Sequence, residues 1–134
     1  IGTGVFGDPG LADAVSKDPN GIGYNNTIFA YDLKTGQKQS TLEVLPIDIN
    51  SNGSVEAEEN FYGSFREIQT AIAQNKFPSP PARELYFVSK GKPQNAAAAA
   101  FLKWVLTDGQ KYIEENGFVQ LPQELINQEL NKLN

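Results

Sequence analysis

The segment Asp48-Ile49-Asn50-Ser51-Asn52-Gly53-Ser54-Val55-Glu56-Ala57-Glu58-Glu59 constrains this chain more than any other stretch of it. Oxygen-bearing side chains stand at alternate positions, a glycine stands where the backbone must turn back on itself, and an acid closes the run. The segment fits D-x-[DN]-x-[DN]-G-x5-E at every specified position, the pattern of a calcium loop. Calcium is a hard cation that collects several oxygen ligands in a flexible cage. Asp48, Asn50 and Asn52 take positions one, three and five, and the Ser54 carbonyl takes position seven. Glu56 at nine reaches the ion directly or through water, and Glu59 at twelve can grip it with both oxygens. Val55 is apolar, as an anchor to neighbouring structure should be. Asp, Asn, Ser and Gly also make ordinary turns, but five constrained positions and an apolar eighth ask for more than a turn.

The flanks give the loop half of an EF-hand context. Leu42, Val44 and Ile47 precede it and are interrupted by Pro46, which predicts an extended entry because proline is excluded from helix interiors. Phe61, Phe65, Ile68 and Ile72 follow at three- and four-residue steps and predict an exiting amphipathic helix to about Asn75. No second loop accompanies it. Calcium sensors open a pair of helices around a groove, so an isolated loop points to a structural ion rather than a switch.

Composition removes whole classes of chemistry. The chain has no Cys and no His, so thiol nucleophiles, imidazole bases, disulfides and the usual zinc and copper ligands are absent. Ser16-Lys17 and Ser89-Lys90 are bare adjacent pairs, Glu114-Glu115 reads as a solvated helix face, and the remaining carboxylates bunch in the calcium pattern. No enzyme activity is expected. The net charge is -5 and the 11 Lys and Arg residues do not cluster, which excludes a nucleic-acid footprint. No apolar run reaches the roughly 18 residues of a membrane span. Gly2-Thr3-Gly4-Val5-Phe6-Gly7 spells G-x-G-x-x-G but lacks the strand before and the helix after that a dinucleotide site needs.

The remaining pattern alternates extended and helical stretches. Asp8 as N-cap and Pro9 at the first helical position predict a helix to Lys17. Ile22 to Tyr24, Thr27 to Tyr31 and Thr41 to Ile47 read as extended, Phe77 to Pro81 as a proline-stiffened connector, and Leu85-Tyr86-Phe87-Val88 as a buried strand. Helices are predicted from Pro93 through the alanine run, from about Gly109 to Glu115, and from Pro122 onward. Strands separated by helices imply an α/β architecture with one main sheet.

Three blocks resemble the phosphate-binding, PstS-like substrate-binding proteins of ABC transporters. Gly7-Asp8-Pro9-Gly10-Leu11-Ala12-Asp13-Ala14-Val15 with Asn20-Gly21-Ile22-Gly23-Tyr24 is similar to the family's G-N-x-G-[VI]-A-x-x-V…G-x-I-G-Y stretch. Pro78-Ser79-Pro80-Pro81-Ala82-Arg83-Glu84-Leu85-Tyr86-Phe87 resembles its approach to an R-x-L-Y strand. Phe101-Leu102-Lys103-Trp104-Val105-Leu106-Thr107-Asp108-Gly109-Gln110-Lys111 with Gly117-Phe118-Val119-Gln120-Leu121-Pro122 resembles its ending.

The resemblance implies a class II periplasmic-binding-protein-like α/β fold, a mixed sheet flanked by helices. Residues 1–24 would be the end of the second lobe and the hinge, and 25–134 the return to the first lobe, making this the C-terminal part of a two-lobed protein. It implies an extracytoplasmic or periplasmic component for uptake of phosphate or a related oxyanion, working with an ABC permease and attached, if at all, through a lipid anchor upstream of Ile1. The family's anion-holding R-x-x-x-S-G-T motif is not in these residues, and neither Arg66 nor Arg83 stands in such a motif, so no anion ligand is assigned. The alternative is a calcium-stabilised interaction or adhesion module without transport. In either case Asp48, Asn50, Asn52, Ser54, Glu56 and Glu59 are the expected ligands of a structural Ca2+.

Overall fold

The computed structural model describes residues 2–134; the chain divides into two compact units whose boundary falls between Phe77 and Pro78. Four α-helices carry the regular structure: α1 (Gly7–Lys17) and α2 (Phe65–Ala73) in the first unit, α3 (Ala96–Leu106) and α4 (Gln123–Leu133) in the second. Short 3-10 turns occupy Thr27–Phe29, Asp108–Tyr112 and Glu114–Asn116. The expected α/β fold with a mixed sheet flanked by helices is not what forms. Among the described residues the only β pairing is two isolated antiparallel bridges, Tyr31 to Lys38 and Gln37 to Ser64.

The reason differs from segment to segment. Asn26 accepts a hydrogen bond from the Ile28 N–H and starts a 3-10 turn at Thr27–Phe29, where a strand was expected. In the stretch 41–47 the Leu42 N–H goes to the Gln39 carbonyl and the Ile47 N–H to the Tyr62 hydroxyl, so two donors of the segment are used outside any ladder. The expected buried strand Leu85–Val88 is exposed. The proline connector is not extended but turned, with cis bonds at Ser79-Pro80 and Pro80-Pro81 and the Ala82 N–H returning to the Pro78 carbonyl.

In the first unit, α1 begins two residues before the expected start. Phe6 holds the N-cap position without a side-chain cap, and Asp8 lies in the first turn, where its charge complements the helix dipole. The returning segment at 21–25 lies close against α1: a Cβ on Gly23 would stand 2.9 Å from Val15 Cγ2 and 3.1 Å from Leu11 Cδ1. Asn25 Nδ2 donates to the Asp8 carbonyl at 2.8 Å and closes that return.

The first unit's core is aromatic. Tyr31, Phe61, Tyr62, Phe65, Ile68 and Ala71 are buried together, with Ile28, Ala30, Val44, Ile72 and Phe77 packed around them. The helical spacing of Phe65, Ile68 and Ile72 puts all three on the inner face of α2. Phe61 precedes the helix, which starts at Phe65 rather than directly after Glu59. Ser64 accepts from the Glu67 N–H and Glu67 accepts from the Gly63 N–H, a reciprocal cap that fixes this start.

One buried hydrogen bond ties the core to the chain that leaves the loop. The Tyr31 hydroxyl donates to the Tyr62 carbonyl at 2.8 Å. Burial first, then the carboxylates of Glu43 and Glu67, push the Tyr31 phenol up to about 12. A raised folded-state pKa contributes stability that is complete below the unfolded value near 10 and is lost as pH climbs towards 12. Tyr31→Phe is expected to cost about 1–2 kcal/mol near neutral pH, since it leaves the Tyr62 carbonyl without its donor. It should also flatten the alkaline loss of stability, which urea midpoints near neutrality and at about pH 11 will show.

In the second unit, Asn95 caps α3 by accepting from the Ala98 N–H. The helix expected from Gly109 to Glu115 is instead two 3-10 turns. Gly109 sits so close to the end of α3 that a Cβ would lie 2.9 Å from the Trp104 carbonyl oxygen, and Gly117 ends the second turn with a left-handed φ of 89°. The buried Gln110 donates through Nε2 to the Val105 carbonyl and accepts from the Leu121 N–H, which orders the approach to α4. Phe87, Phe101, Trp104 and Tyr112 form a ladder of ring contacts with successive centroids 6.0, 6.3 and 6.2 Å apart. No helix among the described residues is long and apolar enough to cross a membrane.

Candidate metal centre

The loop is shaped by two left-handed residues, Ser51 at φ 59° and Gly53 at φ 88°. A glycine takes such a backbone without penalty, whereas the serine carries a cost of roughly 1–3 kcal/mol that surrounding bonds must offset. Those bonds come from the side chains at the predicted ligand positions. Asp48 Oδ1 accepts from the Asn52 N–H at 3.2 Å and Oδ2 from the Gly53 N–H at 2.8 Å. Asn50 Oδ1 accepts from the Asn52 N–H at 3.0 Å, and Asn52 Oδ1 from the Ser54 N–H at 2.9 Å. The backbone is thereby wrapped around the carboxylate of position one.

Glu59 closes the loop from the other end. It is 6% exposed. Its Oε1 accepts from the N–H groups of Ile49 at 2.9 Å and Asn50 at 3.1 Å, and its Oε2 from Glu56 N–H at 3.2 Å. One carboxylate therefore spans the beginning, middle and end of the segment. Glu56 lies between them, its two oxygens accepting from Asn50 Nδ2 at 2.9 Å and Asn52 Nδ2 at 2.8 Å.

Five of the six expected ligand residues are thus joined in one network by their side chains. Ser54, expected to contribute its carbonyl, joins it through its N–H. Val55 is 42% exposed and does not anchor the loop as expected. The anchoring is done by Tyr62, whose hydroxyl receives the Ile47 N–H at 3.2 Å at the loop's entry while its ring stacks on Phe61 at the exit. A tyrosine three residues past the last ligand gave no signal in the sequence. The Ser64-x-x-Glu67 cap behind it did, since S-x-x-E before an apolar run marks a helix start.

The donor set fits a hard cation. A carboxylate oxygen has two acceptor directions, so both Asp48 oxygens and Glu59 Oε2, each holding one N–H, keep one direction for an ion. Among the described residues no His, Cys, Asp or Glu cluster of three or more could hold a metal alone. Amide oxygens of Asn50 and Asn52 and the Ser54 carbonyl are therefore needed to complete a shell. The two Asn Nδ2 groups now aimed at Glu56 put their positive ends beside its carboxylate, the job a cation does. Turning each amide about its last torsion exchanges Nδ2 for Oδ1 at that place and gives up the bonds that Oδ1 now accepts from the Asn52 and Ser54 N–H groups.

Electrostatics point the same way. Asp48, Glu56 and Glu59 put three negative charges into one short loop, and the ion pairs among the described residues lie elsewhere, at Lys17 with Asp13, Lys38 with Glu43 and Lys132 with Glu129. Only dipoles hold these carboxylates together. No protein-family model, no curated protein and no solved structure matches this chain. The chemical reading of the loop rests on its own residues.

Proposed function

We propose that this chain is a non-enzymatic binding module in which the loop 48–59 holds one Ca2+ as a structural ion. The observation that carries the reading is the convergence of Asp48, Asn50, Asn52, Glu56 and Glu59 around a backbone already turned by Ser51 and Gly53. Tyr62 joins both ends of that loop to the aromatic core, so ordering the loop stabilises the unit as a whole. Nothing in this arrangement moves two helices apart, which distinguishes a staple from a sensor. When bound, the ion would neutralise three carboxylates and let the two asparagine amides act as oxygen ligands. The resemblance to phosphate-binding proteins supports oxyanion delivery through its three sequence blocks alone.

Extracellular calcium modules bind with Kd of about 10⁻⁴–10⁻³ M, and at tenfold saturation the linkage stabilises by roughly 1.4 kcal/mol. For a unit of this size that is an upward shift of roughly 6–11 °C in Tm. Thermal unfolding of demetallated protein with and without Ca2+ should show the shift, and Asp48→Ala should remove it. Magnesium should do less, because it demands a tighter octahedral shell and surrenders its water reluctantly. An identical Tm in Ca2+ and EDTA for protein shown to be metal-free at the outset would count against the proposal.

A further inference from the structure

In the second unit the apolar run Leu85, Tyr86, Phe87 and Val88 is 69, 77, 68 and 92% exposed. Apolar side chains on both faces of an extended segment belong to strands that are covered on both sides. Alternation of faces is visible here. The Tyr86 hydroxyl donates to the Glu84 carboxylate two residues back at 3.0 Å, on one side, while Phe87 packs edge-on against Phe101 of α3 on the other. Among the described residues the backbone groups of Leu85 to Val88 make no backbone hydrogen bond. The segment therefore presents unpaired backbone groups beside α3, the condition under which an exposed run pairs with another chain.

We propose that Glu84–Lys90 pairs antiparallel with the same segment of a second copy of this chain, about a two-fold axis at Phe87. Charge selects this occupant and its register. The apolar run is flanked by an acid, Glu84, and a base, Lys90. Antiparallel pairing centred on Phe87 sets Glu84 of each copy opposite Lys90 of the other, Tyr86 opposite Val88, and Phe87 opposite itself. The two outer contacts are salt-bridged, Leu85 stands opposite Ser89, and the three central contacts are aromatic with β-branched or aromatic partners, the combinations that stabilise cross-strand neighbours. Parallel in-register pairing would set Glu84 on Glu84 and Lys90 on Lys90. A slip by one residue towards Arg83 would set Arg83 against Lys90, and it would place the two Phe87 rings on opposite faces. The centred register keeps both rings, and the Phe101 and Trp104 side chains that are 51 and 46% exposed beside them, on a single face.

Sedimentation equilibrium of the full chain over a wide concentration series is the test. The wild-type chain is expected to show a reversible monomer–dimer equilibrium. Glu84→Lys or Lys90→Glu alone places like charges opposite each other twice in the symmetric contact and should raise the dimer dissociation constant about tenfold. The double exchange Glu84→Lys with Lys90→Glu restores opposite charges and should return the constant to within about threefold of wild type. Both positions are exposed, so circular dichroism should show all three variants folded alike. A chain that stays monomeric at every concentration overturns the proposal. So does a double variant as weak as either single one, and so does a strictly monomeric chain that captures a foreign apolar peptide along this edge.

Discussion

Glu59→Ala should lower the stability of the first unit by about 3–4 kcal/mol, one of two large losses that follow from its architecture. The carboxylate is buried and accepts three backbone N–H groups, from Ile49, Asn50 and Glu56. Hydrogen bonds to a charged acceptor contribute roughly 1.5–3 kcal/mol each, and a donor left without a partner in a buried place costs its desolvation. Ile49 and Asn50 are exposed enough for water to recover part of that sum, which is why the expected total lies well below three full bonds. Glu59→Gln separates charge from shape. It retains one oxygen for Ile49 and Asn50 but presents an amide N–H towards the Glu56 N–H, so it should cost less than alanine and yet abolish the calcium response as completely. Urea denaturation of the three proteins, with and without Ca2+, checks both statements.

Phe65→Ala should cost about 3–5 kcal/mol by a different route. Phe65 is 5% exposed, opens α2, and meets Tyr31 with ring centroids 5.7 Å apart. Truncation leaves a cavity amid Tyr31, Ile68 and Ala71, and the aromatic shell around it cannot collapse without disturbing the Tyr31 hydroxyl bond to Tyr62. Because Tyr62 also receives the Ile47 N–H, the loop should loosen as a consequence of core loss. The calcium response then serves as a diagnostic. In Phe65→Ala the upward shift of Tm on adding Ca2+ should persist, since every ligand residue is intact, whereas in Glu59→Gln it should vanish. A loss of the calcium shift in Phe65→Ala equal to that in Glu59→Gln would mean that the loop has no local integrity of its own.

The local features were legible and the long-range ones were not. Asp48, Asn50, Asn52, Glu56 and Glu59 come together because their spacing lies within one turn-rich segment, where side chains and backbone bond over a few residues. The inner face of α2 follows from Phe65, Ile68 and Ile72, and α4 buries Ile126 from the apolar stripe that also holds Leu125, Leu130 and Leu133. Helices answer to neighbours three and four residues away. Strands answer to a partner that may lie anywhere in the chain, so β-branched and aromatic runs such as Thr27–Tyr31 and Leu85–Val88 name a preference without naming a pair. In one case a local bond from Asn26 won, and in the other the segment stays unpaired. Gly109 illustrates a third kind of miss: its close approach to the Trp104 carbonyl breaks a helix that composition alone would continue.

The staple account is tested most directly by titrating Ca2+ into demetallated, isotope-labelled chain while following backbone amide resonances. The N–H groups of Ile49, Asn50, Asn52, Gly53 and Glu56 all report on carboxylate or amide oxygens that the ion would share. The account predicts saturable shifts at these amides with one Kd of about 10⁻⁴–10⁻³ M, no comparable shifts along α3 and α4, and no response in Asp48→Ala. Loop amides that stay fixed throughout the titration, or shifts that survive Asp48→Ala unchanged, would contradict it.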